Sequence, residues 1–560
     1  MKNSFVELNA RERAFALLDN QSGRELIGPF DGLKSPHLEP QNIVPESDDG
    51  VVIVKGKMNQ KDVLIVSIEG KFQGGGIGEV SGAKIASALE EALKDNQKGK
   101  TIYPIIILDT GGVRLQEANY GLLSISEIGN MIVALKQFVP VVGLVPGLVG
   151  SFGGMSITSA LMSYLIATPK ARVGLNGPEV IEQEAGVMEF DASDKELIWE
   201  TIGARQRLKV GIVDEVVADN LDEIKESLND AIAKKKDVQR TAKFDEYLSL
   251  LIQYDPSNKL SISEYNKLYQ DKENTAVTMD DVVSGEQPSS QSRGYKWFEA
   301  LTGVKNPTNQ TMPTVLSKAV IKNQQTYGYI CVVPEADNPF YRVRKGEMGL
   351  VEGFAVAKKV NEWIKEDETK EVKRPIILVI DVPSQAYGYT EELIGIHLSL
   401  AASAEAYATA RQKGHPVIGV IVGNAISGAF LAHGLQSNRL IALNDPSINV
   451  QAMSKESAAR ITNRTIEELE KATEKVPSMA YDIKNFNKLG ALYKLVDGIT
   501  SDNVSKESIQ TIEKIIDEAI ESTKNSPTDL SFRYQTPEAI KEGRVATNQV
   551  RKEMMQQWNQ

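Results

Sequence analysis

The chain has 560 residues, which is too long for one hydrophobic core and predicts two or more large domains. Its net charge of -12 excludes a general nucleic-acid-binding protein, which would carry a basic surface. A single cysteine, Cys331, excludes an intrachain disulfide and a cysteine zinc site, and the lack of a long uncharged apolar segment predicts a cytoplasmic protein without membrane insertion.

The N-terminal part of the chain has the pattern of an α/β domain. Residues 1–45 are polar and contain one predicted helix, 10–18, with apolar residues at helical spacing. From residue 51 to about 218, short continuous apolar runs alternate with helical stretches, as is typical of strands covered on both faces. The predicted strands are 51–54, 63–66, 105–108, 141–145 and 165–167.

The middle of the chain changes composition. Residues 220–236 and 244–253 predict charged helices, and the polar stretch 254–293 cannot bury enough apolar area to fold alone, so it predicts a linker. The α/β pattern resumes at Tyr295 and continues to about residue 500, and the charged residues after it predict an exposed helical arm. The predicted domains are therefore 1–235, a helical arm and linker 236–293, a second domain 294–505, and a C-terminal arm 506–560.

One pattern occurs twice at the spacing of a whole domain. An apolar run beginning at Pro104 leads into Asp109, and a second run from Pro140 leads into the small-residue loop 147–154. In the second half, a run from Pro375 leads into Asp381, and a run from Pro416 leads into the loop 423–429. Two copies of one fold, each with a glycine loop after a buried strand, predict a site built between them.

The glycine loops are candidate anion sites. The loop 74–80 precedes a predicted helix, 83–93, but matches neither the dinucleotide nor the P-loop pattern, so a tight turn with close packing is the stronger interpretation. The paired loops 147–154 and 423–428 are more specific, because two N–H groups aimed at one point form an oxyanion hole. Close packing explains their small residues but not their recurrence. No nucleophile elbow surrounds Ser151 or Ser427.

Several side chains near these loops are further candidates. Ser384, Gln385 and Tyr387 follow a predicted strand end, where α/β proteins bind ligands, although loop chemistry alone explains them equally well. Arg114 is a candidate partner for an anion, and the alternative is that it forms a structural salt bridge. The histidines of the second half, including His433, lack metal-ligand spacing, so packed or surface histidines are expected and no metal site is predicted.

These residues together resemble acyl-thioester carboxyltransferases of the crotonase-like superfamily. Similar segments are 10–19, 75–85 and 111–118, and residues 177–194 look like the β subunit of malonate decarboxylase. Acetyl-CoA carboxylase relatives carry a basic residue where Glu179 stands. In the second half, segments 381–388, 391–397, 423–434 and 477–482 look like the γ subunit. The resemblance covers roughly 10–220 and 294–500 and indicates a β–γ fusion, although these subunits are often separate chains.

The resemblance implies a fold and a reaction. The fold is α/β, with two homologous crotonase-like carboxyltransferase domains, each a β-β-α superhelix core, packed as a pseudo-heterodimer. The reaction is loss of CO₂ from a malonyl thioester on an acyl carrier protein, leaving the acetyl thioester in malonate catabolism. The thioester is expected on a phosphoribosyl-dephospho-CoA arm of the carrier, with no covalent cofactor on this chain. Expected partners are the carrier protein and an acyl-carrier transferase subunit, and homo-oligomers stay open.

The enolate left by decarboxylation needs preorganised N–H donors, so the resemblance assigns roles to numbered residues. The catalytic candidates are Gly153, Gly154, Gly428, Ala429, Ser384, Gln385 and Tyr387. The substrate-binding candidates are Gly75, Gly76, Gly78, Lys84, Gly112, Arg114, Gly150, Ser151, Gly423, Ser427 and His433.

Two other functions stay open from the sequence. A biotin-dependent carboxyltransferase would pass CO₂ to a biotin carrier. This chain has no biotin attachment site, but that shows only that any biotin would be attached to another protein. A non-catalytic carrier-docking subunit would not need intact glycine loops in both halves, so those loops count against it.

Overall fold

A computed structural model describes residues 4–234, 238–271, 292–308, 312–322 and 324–560. The chain divides into two units. The N unit comprises Met1–Arg240, Ala459–Met479 and Arg544–Gln560, and the C unit comprises Thr241–Ala458 and Ala480–Gly543. Much of the predicted linker, residues 272–291, lies outside the described residues, and the predicted domain boundaries stay a prediction.

Each unit contains one mostly parallel sheet. The strands of the N unit are β1 (Arg24–Leu26), β2 (Val51–Met58), β3 (Lys61–Ile68), β4 (Tyr103–Ile107), β5 (Val142–Val145), β6 (Tyr164–Ala167) and β7 (Glu215–Val216). Those of the C unit are β8 (Val315–Lys322), β9 (Gln325–Val332), β10 (Ile376–Val382), β11 (Val417–Ile426), β12 (Arg439–Leu443), β13 (Val450–Gln451) and β14 (Lys494–Val496). The five strands predicted from apolar runs coincide with β2 to β6, with residue 108 falling just after β4 and residue 141 just before β5, so these predictions are confirmed to within one residue.

The helices alternate with these strands. In chain order they are α1 (Ala10–Ala16), α2 (Glu79–Gln97), α3 (Asn119–Leu135), α4 (Gly154–Leu161), α5 (Pro178–Ala185), α6 (Lys195–Ile202), α7 (Ala204–Lys209), α8 (Leu221–Ala233), α9 (Phe244–Gln253), α10 (Ile262–Gln270), α11 (Arg293–Thr302), α12 (Glu352–Glu366), α13 (Tyr389–Ile394), α14 (Ile396–Gln412), α15 (Ser427–Ala432), α16 (Lys455–Ile461), α17 (Ile466–Lys475), α18 (Ile483–Lys488), α19 (Lys506–Thr523), α20 (Phe532–Gln535) and α21 (Val545–Trp558). Helices α1, α8 and α9 confirm three sequence predictions.

The two sheets have the same topology. In the N unit the order is β1-β2-β3-β4-β5-β6-β7, with an antiparallel β2–β3 hairpin followed by parallel strands. In the C unit the order is β14-β12-β11-β10-β9-β8, with an antiparallel β8–β9 hairpin followed by parallel strands, and β13 pairs with β11. A hairpin leading into parallel strands therefore recurs, as the sequence repeat predicts.

The sheet of the N unit is buried on both faces. Consecutive residues Ile105, Ile106 and Ile107 are all fully buried, and successive strand side chains point to opposite faces. One face packs with residues of α1 and α8 in a single apolar cluster. Helix α2 contacts β2, β3 and β4. This two-sided burial explains why the strands have continuous apolar runs rather than alternating ones.

Glycine lets the helices that flank the candidate loops cross closely in both units. A Cβ on Gly82 of α2 would lie 2.2 Å from Ser124 Cβ of α3, and one on Gly353 of α12 would lie 2.1 Å from the carbonyl oxygen of Ser399 in α14. Both contacts are shorter than van der Waals packing permits, so only glycine fits. In both units the helix that follows the hairpin is therefore held closely against the helix that crosses it.

Three sequence predictions differ from the structure. Helix α2 begins at Glu79 rather than at residue 83, and β11 continues to Ile426 through part of the predicted 423–428 loop, because its end pairs with β13. The predicted exposed C-terminal arm is wrong: Ile512 and Ile516 of α19 and Trp558 of α21 are buried. Their apolar residues recur at helical spacing between the charges and pack against neighbouring elements. Within the described residues, no helix is both long and apolar enough to cross a bilayer.

Candidate functional site

Three loops meet at the carboxyl edge of the N-unit sheet, where β3, β4 and β5 end. The N–H of Ile77 donates to Gly112 O at 2.8 Å, and the N–H of Arg114 donates to Ile77 O at 2.9 Å. The N–H of Thr110 donates to the carbonyl of Gly150 at 2.8 Å. These bonds continue the parallel pairing beyond the strands, so the loops are held in register by backbone bonds.

The C unit repeats the first two of these bonds. The N–H of Met348 donates to Ser384 O at 3.1 Å, and the N–H of Ala386 donates to Met348 O at 2.8 Å. Because the pairings Ile77–Val113 and Thr110–Ser151 match Met348–Gln385 and Val382–Ala425, residues of the two units can be equated. The equivalent pairs are Ile77 and Met348, Gly112 and Ser384, Val113 and Gln385, Ser151 and Ala425, Gly153 and Ser427, and Gly154 and Gly428.

An aspartate holds each glycine loop, and it is fully buried in the N unit and half-buried in the C unit. Asp109, after β4, accepts the N–H groups of Val149 and Gly150 at 2.6 and 3.2 Å on one oxygen, and the Arg13 guanidinium lies 2.9 Å from the other. Asp381, in β10, accepts the N–H of Asn424 at 3.0 Å. The sequence repeat contained both aspartates, but their role as loop acceptors was missed. Their recurrence directly after a buried strand is the signal that could have found it.

A residue at the start of the short helix has a positive φ in both units: Gly153 directly precedes α4, and Ser427 is the first residue of α15. Gly153 has φ 55° and Ser427 has φ 59°. Serine pays roughly 1–2 kcal/mol for this left-handed conformation, whereas glycine does not. A positive φ at equivalent positions, despite a different residue, indicates that this φ is needed where α4 and α15 begin.

The N–H that follows this residue is open in one unit and capped in the other. Gly154 begins α4, so its N–H has no acceptor within the helix, and it has none elsewhere in the described part of the chain. In the C unit the N–H of Gly428 donates to Gln385 Oε1 at 3.0 Å. Val113, the equivalent of Gln385, has no oxygen on its side chain. The two glycine loops therefore have similar backbone pairing, but a side-chain oxygen accepts the N–H of Gly428 and none among the described residues accepts that of Gly154.

Neighbouring glycines bring the loops together. A Cβ on Gly112 (φ 99°) would lie 2.8 Å from Gly153 Cα and 3.1 Å from the nitrogen of Gly154. A Cβ on Gly423 would lie 2.0 Å from Asp381 Oδ1. Other candidates are buried in similar packing, namely Gly75, Gly76, Gly78, Gly150, Ser151 and Ala429. Their small size lets the backbones of these loops approach closely around the start of α4.

Two predicted substrate-binding side chains are engaged inside the N unit. Arg114 is 2% exposed and forms ion pairs with Asp49 at 2.6 Å and Glu117 at 2.7 Å. Burial lowers the pKa of Arg114, but these two carboxylates outweigh it and raise the pKa overall. Lys84 Nζ donates to the carbonyls of Asp48 and Val51, and burial lowers the pKa of Lys84 to about 8. Binding a substrate through either side chain would require these contacts to open.

His433 is a core residue of the C unit. Its Nε2 lies 3.2 Å from the carbonyl oxygen of Val379, so Nε2 carries the proton, and the Tyr407 hydroxyl donates to Nδ1 at 2.9 Å. Burial lowers the pKa of His433 to about 4, so the ring is neutral near pH 7. Ser384 and Tyr387 are half-buried beside Gln385 and stay nearer the surface.

A buried charge network near the first glycine loop had no sequence prediction. His37 Nε2 lies 2.6 Å from Glu79 Oε2, and the other oxygen of Glu79 accepts the N–H of Thr547 at 2.9 Å at the start of α21. Arg544 pairs with Glu127 at 3.1 Å. These partners are far apart in the sequence, so no local motif reveals them. Among the described residues no acidic, histidine or cysteine cluster has the form of a metal site.

Two α/β units with one topology and matched glycine loops define a duplicated α/β protein, and comparisons with known proteins agree. A carboxyl transferase domain model matches residues 7–296, and a malonate decarboxylase gamma subunit model matches residues 343–558. The chain is 40% identical over 241 residues to the malonyl-S-ACP:biotin-protein carboxyltransferase MADC of Malonomonas rubra, covering 41% of this chain and 76% of that protein. It is 35% identical over 233 residues to MADD of the same organism, covering 40% and 75%.

Solved structures are also similar. A chain of a Pseudomonas malonate decarboxylase hetero-tetramer in complex with malonate is 49% identical, and the match covers 48% of this chain and 97% of that chain with a TM-score of 0.47. The chain belongs to the carboxyl transferase domain family. The predicted crotonase-like carboxyltransferase fold and the fusion of malonate decarboxylase β-like and γ-like halves are confirmed.

Proposed function

We propose that this chain decarboxylates a malonyl thioester on an acyl carrier protein, giving the acetyl thioester and CO₂. The observation that supports this most directly is the difference between the two glycine loops: the Gly154 N–H is open, whereas the Gly428 N–H is capped by Gln385. The reaction needs one strong oxyanion hole, and the Gly154 N–H is the donor of the two that is not already bonded to a side chain of the described residues.

The open loop suits the thioester. When CO₂ leaves, the electron pair of the broken C–C bond moves into the thioester carbonyl and forms an enolate, and the new charge sits on the thioester oxygen. A backbone donor already in place stabilises that charge without reorganisation, and each such donor is worth roughly 10²–10³ in rate. We assign Gly154, at the start of α4 and next to Gly153, as this donor.

The capped loop suits a departing carboxylate better than a second enolate. Strong hydrogen bonds to the malonyl carboxylate would stabilise the charged ground state, and that charge disappears as CO₂ forms. With Gln385 occupying the Gly428 N–H, the loop binds an anion less strongly. Transfer of the carboxyl group to biotin would instead place negative charge on the ureido oxygen, and an open pair of donors would be needed there.

The remaining roles follow from the same assignment. Ser384 and Tyr387 are proposed to orient the carboxylate or to return a proton to the enolate. Ala429 lies in the first turn of α15 and is the proposed second donor of the C-unit loop. The thioester arm, the carrier protein, an acyl-carrier transferase subunit and a cytoplasmic location are part of this proposal. The reaction requires no biotin on this chain.

A biotin-dependent carboxyltransferase is the second candidate, because two relatives carry that name. MADC and MADD are both called malonyl-S-ACP:biotin-protein carboxyltransferases, and each is matched over about three quarters of its length. Under this reading CO₂ passes to a biotin carrier rather than to solution.

The test is to incubate the purified chain with malonyl-thioester carrier protein, without biotin or ATP, and to follow CO₂ release and acyl mass. Loss of one CO₂ to give the acetyl-carrier, insensitive to avidin, is expected. If release begins only when a biotinylated carrier is added, and avidin abolishes it, the second candidate is correct. If the chain alone releases no CO₂, and a complete complex containing it keeps wild-type turnover after both glycine loops are disrupted, only a carrier-docking role is left.

A further inference from the structure

A second candidate binding site lies on the N unit, away from the glycine loops. A cavity of about 480 Å³ is lined by residues near the turn of the β2–β3 hairpin, by the segment before β4 and by the end of α21. The glycine loops follow the carboxyl ends of β3, β4 and β5, whereas this cavity lies at the opposite edge, beside Lys100 and Ile102. The cavity is thus separate from the candidate oxyanion hole.

The lining carries an excess of positive charge. Its charged side chains are Arg24, Lys55, Lys57, Lys100 and Asp62. Lys57 is paired with Asp62 at 3.0 Å, and Lys100 is paired with Asp95 at 3.2 Å. Within the described ranges, no carboxylate lies within ion-pair distance of Arg24 or Lys55. Two cations therefore face the cavity without an anionic partner.

The geometry around Lys55 holds its charge in place. Lys55 Nζ donates to the carbonyl oxygen of Trp558 at 2.9 Å and lies 3.9 Å from the centre of the Trp558 ring. Arg24 donates to the carbonyl oxygen of Gln557 at 2.7 Å. Both cations are thus fixed against the end of α21, and each keeps further N–H groups for a ligand. Burial, and after it the charge of Lys100, lowers the pKa of Lys55 to about 8, although Asp95 and Asp62 act in the opposite direction.

We propose that this cavity binds a phosphate-bearing anion, held by Lys55 and Arg24 with Lys100 at its edge. A guanidinium and an ammonium group suit phosphate oxygens, which accept several charge-assisted hydrogen bonds at once. The cavity is larger than one phosphate ion, and Val63 and Ile102 give it apolar wall, so a phosphate ester fits as well as the free ion. Because Lys55 of β2 and Arg24 of β1 also bind the end of α21, the bound anion stabilises the contact between that helix and the sheet. This inference does not depend on the proposed decarboxylation.

The test titrates inorganic phosphate and, separately, ADP into the full chain by isothermal titration calorimetry at constant ionic strength. Saturable binding is expected, with affinity falling at least tenfold in Lys55→Gln and in Arg24→Gln. Lys61→Gln is the matched control, because Lys61 lies on the same hairpin and contacts Asn229 instead. ADP binding tighter than phosphate identifies a phosphate ester, and equal affinities identify the free ion.

A second measurement uses the unaltered chain, so that a folding defect in a variant does not obscure the result. Acetylation of individual lysines is followed by mass spectrometry with and without phosphate. Phosphate should slow the modification of Lys55 several-fold and leave Lys61 unchanged. The proposal is wrong if neither probe binds saturably, or if Lys55 and Lys61 respond equally.

Discussion

The most decisive prediction moves the cap from one glycine loop to the other. Val113 and Gln385 occupy equivalent backbone positions, and Gln385 reaches the N–H of Gly428 at 3.0 Å. Val113→Gln should therefore place a carboxamide oxygen on the Gly154 N–H. The variant tests whether that N–H is the oxyanion donor without altering the backbone.

The magnitude has two limits. If the new carboxamide swings aside when substrate binds, the cost is one net hydrogen bond, about 0.5–1.5 kcal/mol, so the turnover number falls about twofold to tenfold. If it stays in place, one oxyanion donor is lost and the turnover number falls about 10²–10³-fold. The control is Val113→Met, which has the same chain length and no oxygen acceptor, so it isolates the effect of size.

The assay is CO₂ release from malonyl-thioester carrier protein under single-turnover conditions, with thermal unfolding to show that both variants fold. We expect Val113→Gln to be at least twofold slower than Val113→Met. Equal rates would refute Gly154 as the donor. The reciprocal variant, Gln385→Met, should lose about 1 kcal/mol of stability and turn over more slowly, because the freed Gly428 N–H would stabilise the malonyl carboxylate before CO₂ leaves. An unchanged rate would contradict the role given to the cap.

Three further predictions follow from single contacts. Ser427→Gly should leave stability unchanged or raise it by up to about 1 kcal/mol. Glycine removes the strain that serine has at a positive φ, but it also makes the unfolded chain more flexible, and the two effects oppose each other. Gly153→Ser should lower the free energy of unfolding by about 2 kcal/mol or more, because the new Cβ would lie 2.9 Å from Gly111 O. Thermal unfolding of Ser427→Gly and Gly153→Ser measures this difference, and equal effects of the two changes would contradict it. Tyr407→Phe should cost about 1–3 kcal/mol by leaving His433 Nδ1 buried without a donor, measured by the same method. His37→Gln should destabilise the chain more at pH 6 than at pH 9. Burial lowers the pKa of His37, but Glu79, Glu117 and Asp49 outweigh it and raise the pKa overall, so the protonated ring stabilises the fold below pH about 6.5 and this stabilisation is lost above the folded pKa. A loss of stability independent of pH would contradict this.

The architecture was largely predictable from the sequence because its signals are local. A strand buried on both faces must be apolar throughout, and β4 shows this in a run of isoleucines. The repeat was visible because the same strand-to-glycine-loop transition occurs twice. The buried C-terminal helices were missed because their charged residues dominate the composition, while the apolar residues of α19 that face its neighbours are few and spaced along the helix.

The candidate site was only partly predictable because its contacts join distant residues. Arg114 was left between an anion site and a salt bridge, and Asp49, which decides its contacts, lies 65 residues away in the chain. The cap on Gly428 comes from Gln385, 43 residues earlier. Neither spacing follows from helix or strand periodicity. The roles of the predicted site residues stay predictions.

The difference between the two loops has a physical consequence for how such a site can be tuned. Every residue except proline keeps its backbone N–H, so the strength of that N–H as an anion donor is controlled by what else it bonds. Asp109 and Asp381 hold the two loops in equivalent shapes, which keeps the donors oriented in both units. The side chain at the Val113 and Gln385 position then decides whether the donor is available. One residue therefore separates an open oxyanion hole from a closed one, and the fold tolerates either because the cap satisfies a bond that substrate would otherwise make.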